Sequence, residues 1–364
     1  MIQAPLPNGL GSNTGYDQAA VFAGPSSTGW VVQEDLYDDV GNNGNANSGQ
    51  PGFNGSTLVY GAPTATTAFP NGVATVQVRS NTGTWSLQQQ LIPGDGAPQG
   101  SYGLSSAAFG NLAVVGSVVG SGPALYAWQR TGTTWTQIQQ FQPSDIGSGD
   151  SLWVAAMTQN QLFLSAIDQN SNQGAVYVYS FIAGQWVQVQ KLVGAPGDTF
   201  GNSVSCDGNT LVIGAVGNGA GKAYVYTTSG GGVWSLLTTL TPSDGVSGDS
   251  FGVGVSVDGT LMAIGARNKT ENGHMYAGAA YIFQFANSVW TQTEILTATV
   301  PAYLIYFGWA TAVFAGSPSW IAIGAPAYGN TGAEGAVYFF SGPNIAPLED
   351  PIVTLTFKGQ KVYA

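Results

Sequence analysis

His274 is the only histidine of the 364-residue chain. It stands in RNKTENGHMYAG (267–278), with Arg267, Lys269, Glu271 and Tyr276 close by. A catalytic triad or a histidine-based metal site would have to be built around this one imidazole. The pairs Glu34-Asp35, Asp38-Asp39 and Glu349-Asp350 supply carboxylates of the kind that general acid–base chemistry uses. The members of each pair are adjacent in sequence and near strand ends, where solvated charge accounts for them. Cys206 is the sole cysteine, which excludes an internal disulfide, and no neighbouring basic residue favours its thiolate. It reads as a buried structural thiol. No glycine-rich phosphate loop leads into a helix. These residues support no specific catalytic mechanism, and the chain is expected not to be an enzyme.

Two sets of loops suit binding better. PSDIGSGDS (143–151) and PSDGVSGDS (242–250) are near-copies, with relatives at PGDGAPQGS (93–101) and APGDTF (195–200). Asp and Ser cap turns by accepting backbone N–H bonds, and that alone can explain the repeat. The sharper reading makes Asp145, Asp150, Asp244 and Asp249 ligands of a cation such as calcium, or acceptors for sugar hydroxyls. No other cofactor is expected. The second set is the long loop 267–278 with its relative PAYGNTGAEG (326–335). Arg267, Asn268, Glu271, Asn272, His274, Tyr276 and Tyr328 offer stacking faces, amide hydrogen bonds and charge. They are the candidate ligand-binding residues. Replacing 267–276 by a tight turn is expected to leave the fold intact. Asn268-Lys269-Thr270 is also a glycosylation sequon.

A repeat must position these loops. FGNSVSCDGNTLVIGA (200–215) is followed by FGVGVSVDGTLMAIGA (251–266). Trp30, Trp85, Trp135, Trp186, Trp234 and Trp290 recur at a mean spacing of 52 residues, so the chain holds seven such units. Each Trp opens an alternating strand such as WTQIQQF (135–141), whose Gln and Thr residues face solvent. Continuous apolar runs such as LMAIGA (261–266) read as strands buried on both faces. Asn54-Gly55, Asp207-Gly208 and Asp258-Gly259 mark tight hairpins between first and second strands. Seven third strands are legible but only six complete second strands.

The expected fold is all-β: a seven-bladed β-propeller of four-stranded antiparallel blades, or six full blades plus a partial one. The blades fall near 1–41, 42–94, 95–144, 145–195, 196–243, 244–298 and 299–357, in one domain. The tail 358–364 is expected to pair into the first blade and close the ring. In a propeller the acidic loops share a face with the second-to-third-strand loops, so Asp95, Asp145, Asp150, Asp198, Asp244 and Asp249 would line one rim.

The pattern F/Y-G-x-S-V-S-x-D-G-x-x-L-x-I-G-A resembles the FG-GAP repeat, the blade unit of the integrin α-subunit head and of many bacterial, viral and fungal surface proteins. The resemblance covers nearly all of 1–357 and is strongest at 198–245 and 249–297. It implies a seven-bladed propeller that binds proteins, sugars or cell surfaces more often than it catalyses. Some relatives carry a calcium loop of the D-x-D-x-D-G type between the first two strands. Here only Asp207-Gly208 and Asp258-Gly259 stand there, and a two-residue turn cannot supply calcium's six to eight oxygens.

Composition narrows the partners. Charged residues make up 7%, with eight Lys+Arg against nineteen Asp+Glu. Such a surface repels nucleic acid and anionic membranes, and no apolar stretch approaches a membrane span. The N-terminus carries no basic region and apolar core, so no secretory signal is expected in it. The expected role is a non-enzymatic extracellular, cell-surface or virion-surface propeller that binds a glycan or protein ligand through loops on one face. The alternative is a structural component of a virus particle or surface layer, contacting copies of itself and other particle proteins.

Overall fold

The computed structural model describes residues 19–26, 29–36, 52–62, 72–94, 102–117, 123–147, 149–230, 232–299, 302–326, 334–341 and 346–356. A hairpin of β1 (Ala19–Ser26) and β2 (Gly29–Leu36) comes first. Six four-stranded antiparallel sheets follow, each with its strands side by side in chain order. The first sheet holds β3 (Gly52–Asn54), β4 (Thr57–Ala62), β5 (Val73–Arg79) and β6 (Trp85–Leu91). The second holds β7 (Tyr102–Phe109), β8 (Leu112–Ser117), β9 (Ala124–Thr131) and β10 (Thr134–Phe141). The third holds β11 (Trp153–Met157), β12 (Gln161–Ala166), β13 (Ala175–Ile182) and β14 (Gln185–Val193). The fourth holds β15 (Phe200–Cys206), β16 (Thr210–Ala215), β17 (Lys222–Thr228) and β18 (Trp234–Leu240). The fifth holds β19 (Phe251–Asp258), β20 (Leu261–Ala266), β21 (Ala279–Ala286) and β22 (Val289–Leu296). The sixth holds β23 (Ala310–Phe314), β24 (Trp320–Ala325), β25 (Glu334–Ser341) and β26 (Ala346–Thr356).

This is the expected all-β succession of propeller blades, six complete ones and a hairpin among the described residues. The closing tail 358–364 lies outside the described residues. The chain divides into two compact units, one centred on 34–193 with the first three sheets, the other on 194–364 with the last three.

Blade-to-blade packing inside each unit explains the repeat. Every residue of β8 and of β20 is buried, as continuous apolar runs require. In two Ile-Gly-Ala runs the glycine touches the Phe-Gly glycine of the next blade. A Cβ on Gly265 would lie 1.8 Å from the Gly308 carbonyl oxygen, and one on Gly214 would lie 1.9 Å from that of Gly252. A parallel bridge then joins Gly221 to Phe251 and Gly278 to Phe307. Phe251 is thereby seated edge-on against Tyr281, ring centres 5.2 Å apart, and Phe307 against Tyr338 at 5.0 Å. Hairpin pairs Asn54–Thr57 and Asp258–Leu261 leave two-residue turns that open on Gly55 and Gly259, both at positive φ.

The outer strands carry a correction. Their glutamines were read as solvent-facing, but several of them bond to a neighbouring blade, two by the same paired pattern. The Gln89 side-chain amide donates to the Trp135 carbonyl at 2.9 Å and accepts the Trp135 N–H at 2.8 Å. Gln139 does the same to Trp186 at 2.9 and 2.7 Å. Each amide imitates one rung of a β-ladder, which fixes the tryptophan at the blade interface. Trp85, Trp135, Trp186, Trp234 and Trp290 are all buried, as expected.

Two substitutions test this packing by urea unfolding. Gly265→Ala should cost about 1–3 kcal/mol by overpacking. Trp186→Ala should cost about 3–5 kcal/mol, and a loss under about 1 kcal/mol would mean that the interface does not depend on it.

Candidate functional site

The site lies in the 194–364 unit, where loop 267–278 joins β20 to β21 and loop 297–309 joins β22 to β23. Backbone bonds zip the two together. Leu304 N–H donates to Met275 O at 3.1 Å, Tyr306 N–H to Tyr276 O at 3.0 Å, and Phe307 N–H to Ala277 O at 3.0 Å. Tyr276 and Tyr306 are therefore side by side, ring centres 5.9 Å apart, both at positive φ. Tyr306 stands edge-on to Trp309 at 5.9 Å. The Arg267 guanidinium sits 4.0 Å from the centre of the Trp309 ring. Arg267 is half-buried with its Nε enclosed, and burial lowers its pKa despite an opposing contribution from Tyr306. Among the described residues it has no ion pair and no hydrogen-bond acceptor.

The remaining loop candidates divide. Asn268 turns inward, its amide donating to Ser250 Oγ at 2.8 Å and its N–H to Asp249 O at 3.1 Å. Lys269 is buried against Asp244, 2.9 Å away. Glu271 and His274 exchange backbone bonds of 3.1 and 2.8 Å around an exposed tip formed by Asn272 and Gly273. Arg267 and Tyr276 thus converge on one cluster, while Glu271, Asn272 and His274 stand at its tip. Tyr328 lies outside the described residues. The loop was expected to be replaceable without harm to the fold. With Lys269 and Ala277 buried and the neighbouring loop zipped to it, removing 267–276 would break an ion pair and several backbone bonds. Tyr306 and Trp309 were not singled out. Their signal was departure from the repeat: they occupy the positions of Ser250 and Val253, and Arg267 that of Val216.

The acidic loops do a different job from the one expected of cation ligands. Asp244 accepts from Tyr281 Oη at 2.7 Å and pairs with Lys269. Asp145 pairs with Lys191 at 2.5 Å and also meets Tyr177. Asp198, fully buried, accepts from Tyr224 Oη, from Asn218 at 2.8 Å and from Lys222 at 2.9 Å. Asp150 and Asp249 instead accept the N–H of Gly147 at 2.9 Å and of Val246 at 2.8 Å, closing their own turns. Each carboxylate already faces a cation or a backbone donor. Among the described residues no three His, Cys, Asp or Glu side chains come together. The physical reason is charge: Lys191 and Lys269 occupy the positions a cation would take. Asp95, Asp38 and Asp39 lie outside the described residues, as do the side chains of Glu34, Asp35, Glu349 and Asp350.

Burial alone would raise the pKa of Asp198, but the bonds from Tyr224, Lys222 and Asn218 outweigh it and hold the carboxyl below its usual range. Asp244 behaves likewise. Burial, then the neighbouring carboxylate, raises Tyr224 and Tyr281 well above the ordinary phenol value. Burial pushes the Cys206 thiol up to about 12, which suits an unreactive structural cysteine. An open groove of about 660 Å³ runs beside β14, lined by Phe141, Tyr179, Trp186 and Lys191. Its one cation is already held by Asp145.

Residues 186–226 and 234–283 match the FG-GAP repeat family model. No curated protein matches the chain. Among solved structures, the periplasmic gluconolactonase of Pseudomonas aeruginosa is 14% identical, with 93% of this chain and 91% of that one aligned at a TM-score of 0.56. A putative 6-phosphogluconolactonase from Bacteroides fragilis is 11% identical, with 93% and 98% aligned at a TM-score of 0.54. The fold is that of a β-propeller, and two of its segments match the FG-GAP repeat. The likeness to solved structures extends to the fold alone. The expectation of a non-enzymatic adhesion propeller, with a particle component as its alternative, is corrected by these findings. Solved chains sharing the fold over nearly its whole length carry enzyme names, and neither is named as an adhesin. This propeller architecture is therefore no argument against catalysis.

The buried ion pair makes stability depend on acid. The folded pKa of Asp198 lies below its unfolded one, so its contribution is full above that unfolded value and is lost as pH falls through the folded one. The thermal midpoint should fall below about pH 4. Asp198→Asn should lower the midpoint at neutral pH and flatten that acid limb. Asp198→Ala should cost about 3–5 kcal/mol, because Lys222 and Tyr224 lose their partner. The half-exposed Asp145 should cost about 1 kcal/mol or less.

Proposed function

We propose that the chain is a hydrolase of small lactones, binding them on the loop face made by 267–278 and 297–309. The observation that carries this reading is the propeller fold shared, over 93% of the chain, with two proteins named as lactonases. The loop cluster supports it. Ring opening needs a water to add to the acyl carbon, a base to take the water's proton, and delivery of a proton to the ring oxygen as the C–O bond breaks. Tyr276 and Trp309 offer aromatic faces to a sugar-like ring. Glu271 and His274, at the tip of the loop that carries Tyr276, are the candidate proton acceptors. Preference for a location outside the cytoplasm rests on the low surface charge and on the periplasmic description of the Pseudomonas protein. Among the described residues no helix is long and apolar enough to cross a membrane.

Proton release from glucono-δ-lactone and a panel of related lactones, measured above spontaneous opening, tests the reading. The rate should scale with protein concentration. Glu271→Gln or His274→Ala, whichever removes the base, should lower turnover about 100-fold or more. A rate equal to the spontaneous one for the whole panel would end the proposal.

A further inference from the structure

We infer that Arg267 is the anchor of an anion-binding site, and that the ligand on this face carries a carboxylate or a phosphate. The inference deepens the lactone reading by naming the substrate class, an acidic sugar derivative, but its chemistry stands on the arginine.

The argument is a census of cations in a chain that has eight. Lys358 and Lys361 lie outside the described residues. Lys191, Lys222 and Lys269 each pair with an aspartate. Arg79 donates to Gly83 O and Arg130 to Gly110 O, both at 3.4 Å. Arg267 alone among the described cations has no acceptor, although its Nε is enclosed. Leaving a buried charged donor unsatisfied is costly, and arginine stays protonated even when burial lowers its pKa. Its Trp309 stack satisfies the face of the guanidinium but none of its five in-plane donors. The fork geometry of those donors matches a carboxylate or phosphate oxygen pair.

The surroundings are built to hold that geometry. Trp309 fixes the guanidinium plane, and Tyr306 braces Trp309 edge-on. Tyr306 is itself pinned by its backbone bond to Tyr276. The neighbouring blade junction has Val216, Ser250 and Val253 at the positions of Arg267, Tyr306 and Trp309. A propeller that needed only packing here would have no use for a cation with an enclosed Nε.

Tryptophan fluorescence of the full chain, titrated at constant ionic strength with inorganic phosphate and separately with gluconate, reads binding without turnover. A saturable change with at least one of them is expected, and the arm that saturates says which anion the site takes. Arg267→Met, which keeps the packing on Trp309 without the charge, should weaken binding at least tenfold. Arg267→Lys should weaken it less. Should the methionine variant fail to fold, arginine modification by phenylglyoxal on the unmutated chain decides. The ligand should slow the reaction at Arg267, followed by mass spectrometry. No saturation with either anion, equal binding by a folded Arg267→Met chain, or unprotected modification would overturn the inference. Because no lactone is hydrolysed in these measurements, a failed lactone assay and a failed anion titration stay distinguishable.

Discussion

The close approach of two glycine backbones is the contact on which the blades depend. Gly214 meets Gly252, and Gly265 meets Gly308, at distances that leave no room for a Cβ. This contact brings the end of a second strand onto the start of the next blade's inner strand. Only then can the parallel bridges Gly221–Phe251 and Gly278–Phe307 form. The bridges in turn bury Phe251 and Phe307 completely. Phe-Gly and Ile-Gly-Ala are thus two halves of one interface, which is why they recur together in the sequence. The same geometry holds the residue before each Phe at positive φ, as at Thr199, Ser250 and Tyr306, on the loop face. Rigid strands beneath and a fixed loop exit above are what make that face suitable for a site.

With few charges available, all three described lysines go into internal locks. A carboxylate from the loop entering a blade, a tyrosine from its third strand and a lysine form the unit in three successive blades. The lysine is not in an equivalent place each time: Lys191 lies in β14, Lys222 opens β17, and Lys269 lies in a loop. Asp198 performs alone what Asp244 and Asp249 divide between them, since it accepts from lysine and tyrosine and also from the N–H of Ala195 at 3.1 Å. What is kept across blades is the electrostatic arrangement, and the positions that supply it move. Such pairs select one arrangement of loops more than they add stability, since desolvation offsets much of the attraction.

The blades were legible because their determinants are local and periodic. Apolar runs, Asp-Gly turns and a tryptophan every 52 residues or so each imply one strand or one turn. The roles of the aspartates were not legible for the opposite reason. Lys191 lies 46 residues from Asp145, and Lys269 lies 25 from Asp244, separations with no pattern that a local reading detects. The outer-strand glutamines were misread similarly: Gln89 and Gln139 reach partners 46 and 47 residues away, on the next blade. Loop 267–278 was picked out by its density of charge, but that criterion could not separate Lys269, which turns inward to Asp244, from Arg267, which has no acceptor among the described residues.

The candidate site is visible as a failure of the repeat. Where one blade junction has Val216, Ser250 and Val253, the next has Arg267, Tyr306 and Trp309. Each exchange is unfavourable by local rules. A tyrosine at positive φ is strained, an enclosed guanidinium is desolvated, and an indole replaces a small aliphatic at a strand entrance. Three such departures in one place, each packed on the next, are hard to explain by packing economy, because the shorter residues of the neighbouring copy satisfy the same backbone. Departures that break a local rule without a structural return concentrate at functional sites. The propeller supplies the frame through its repeated glycines, and this face acquires its chemistry where the repetition stops.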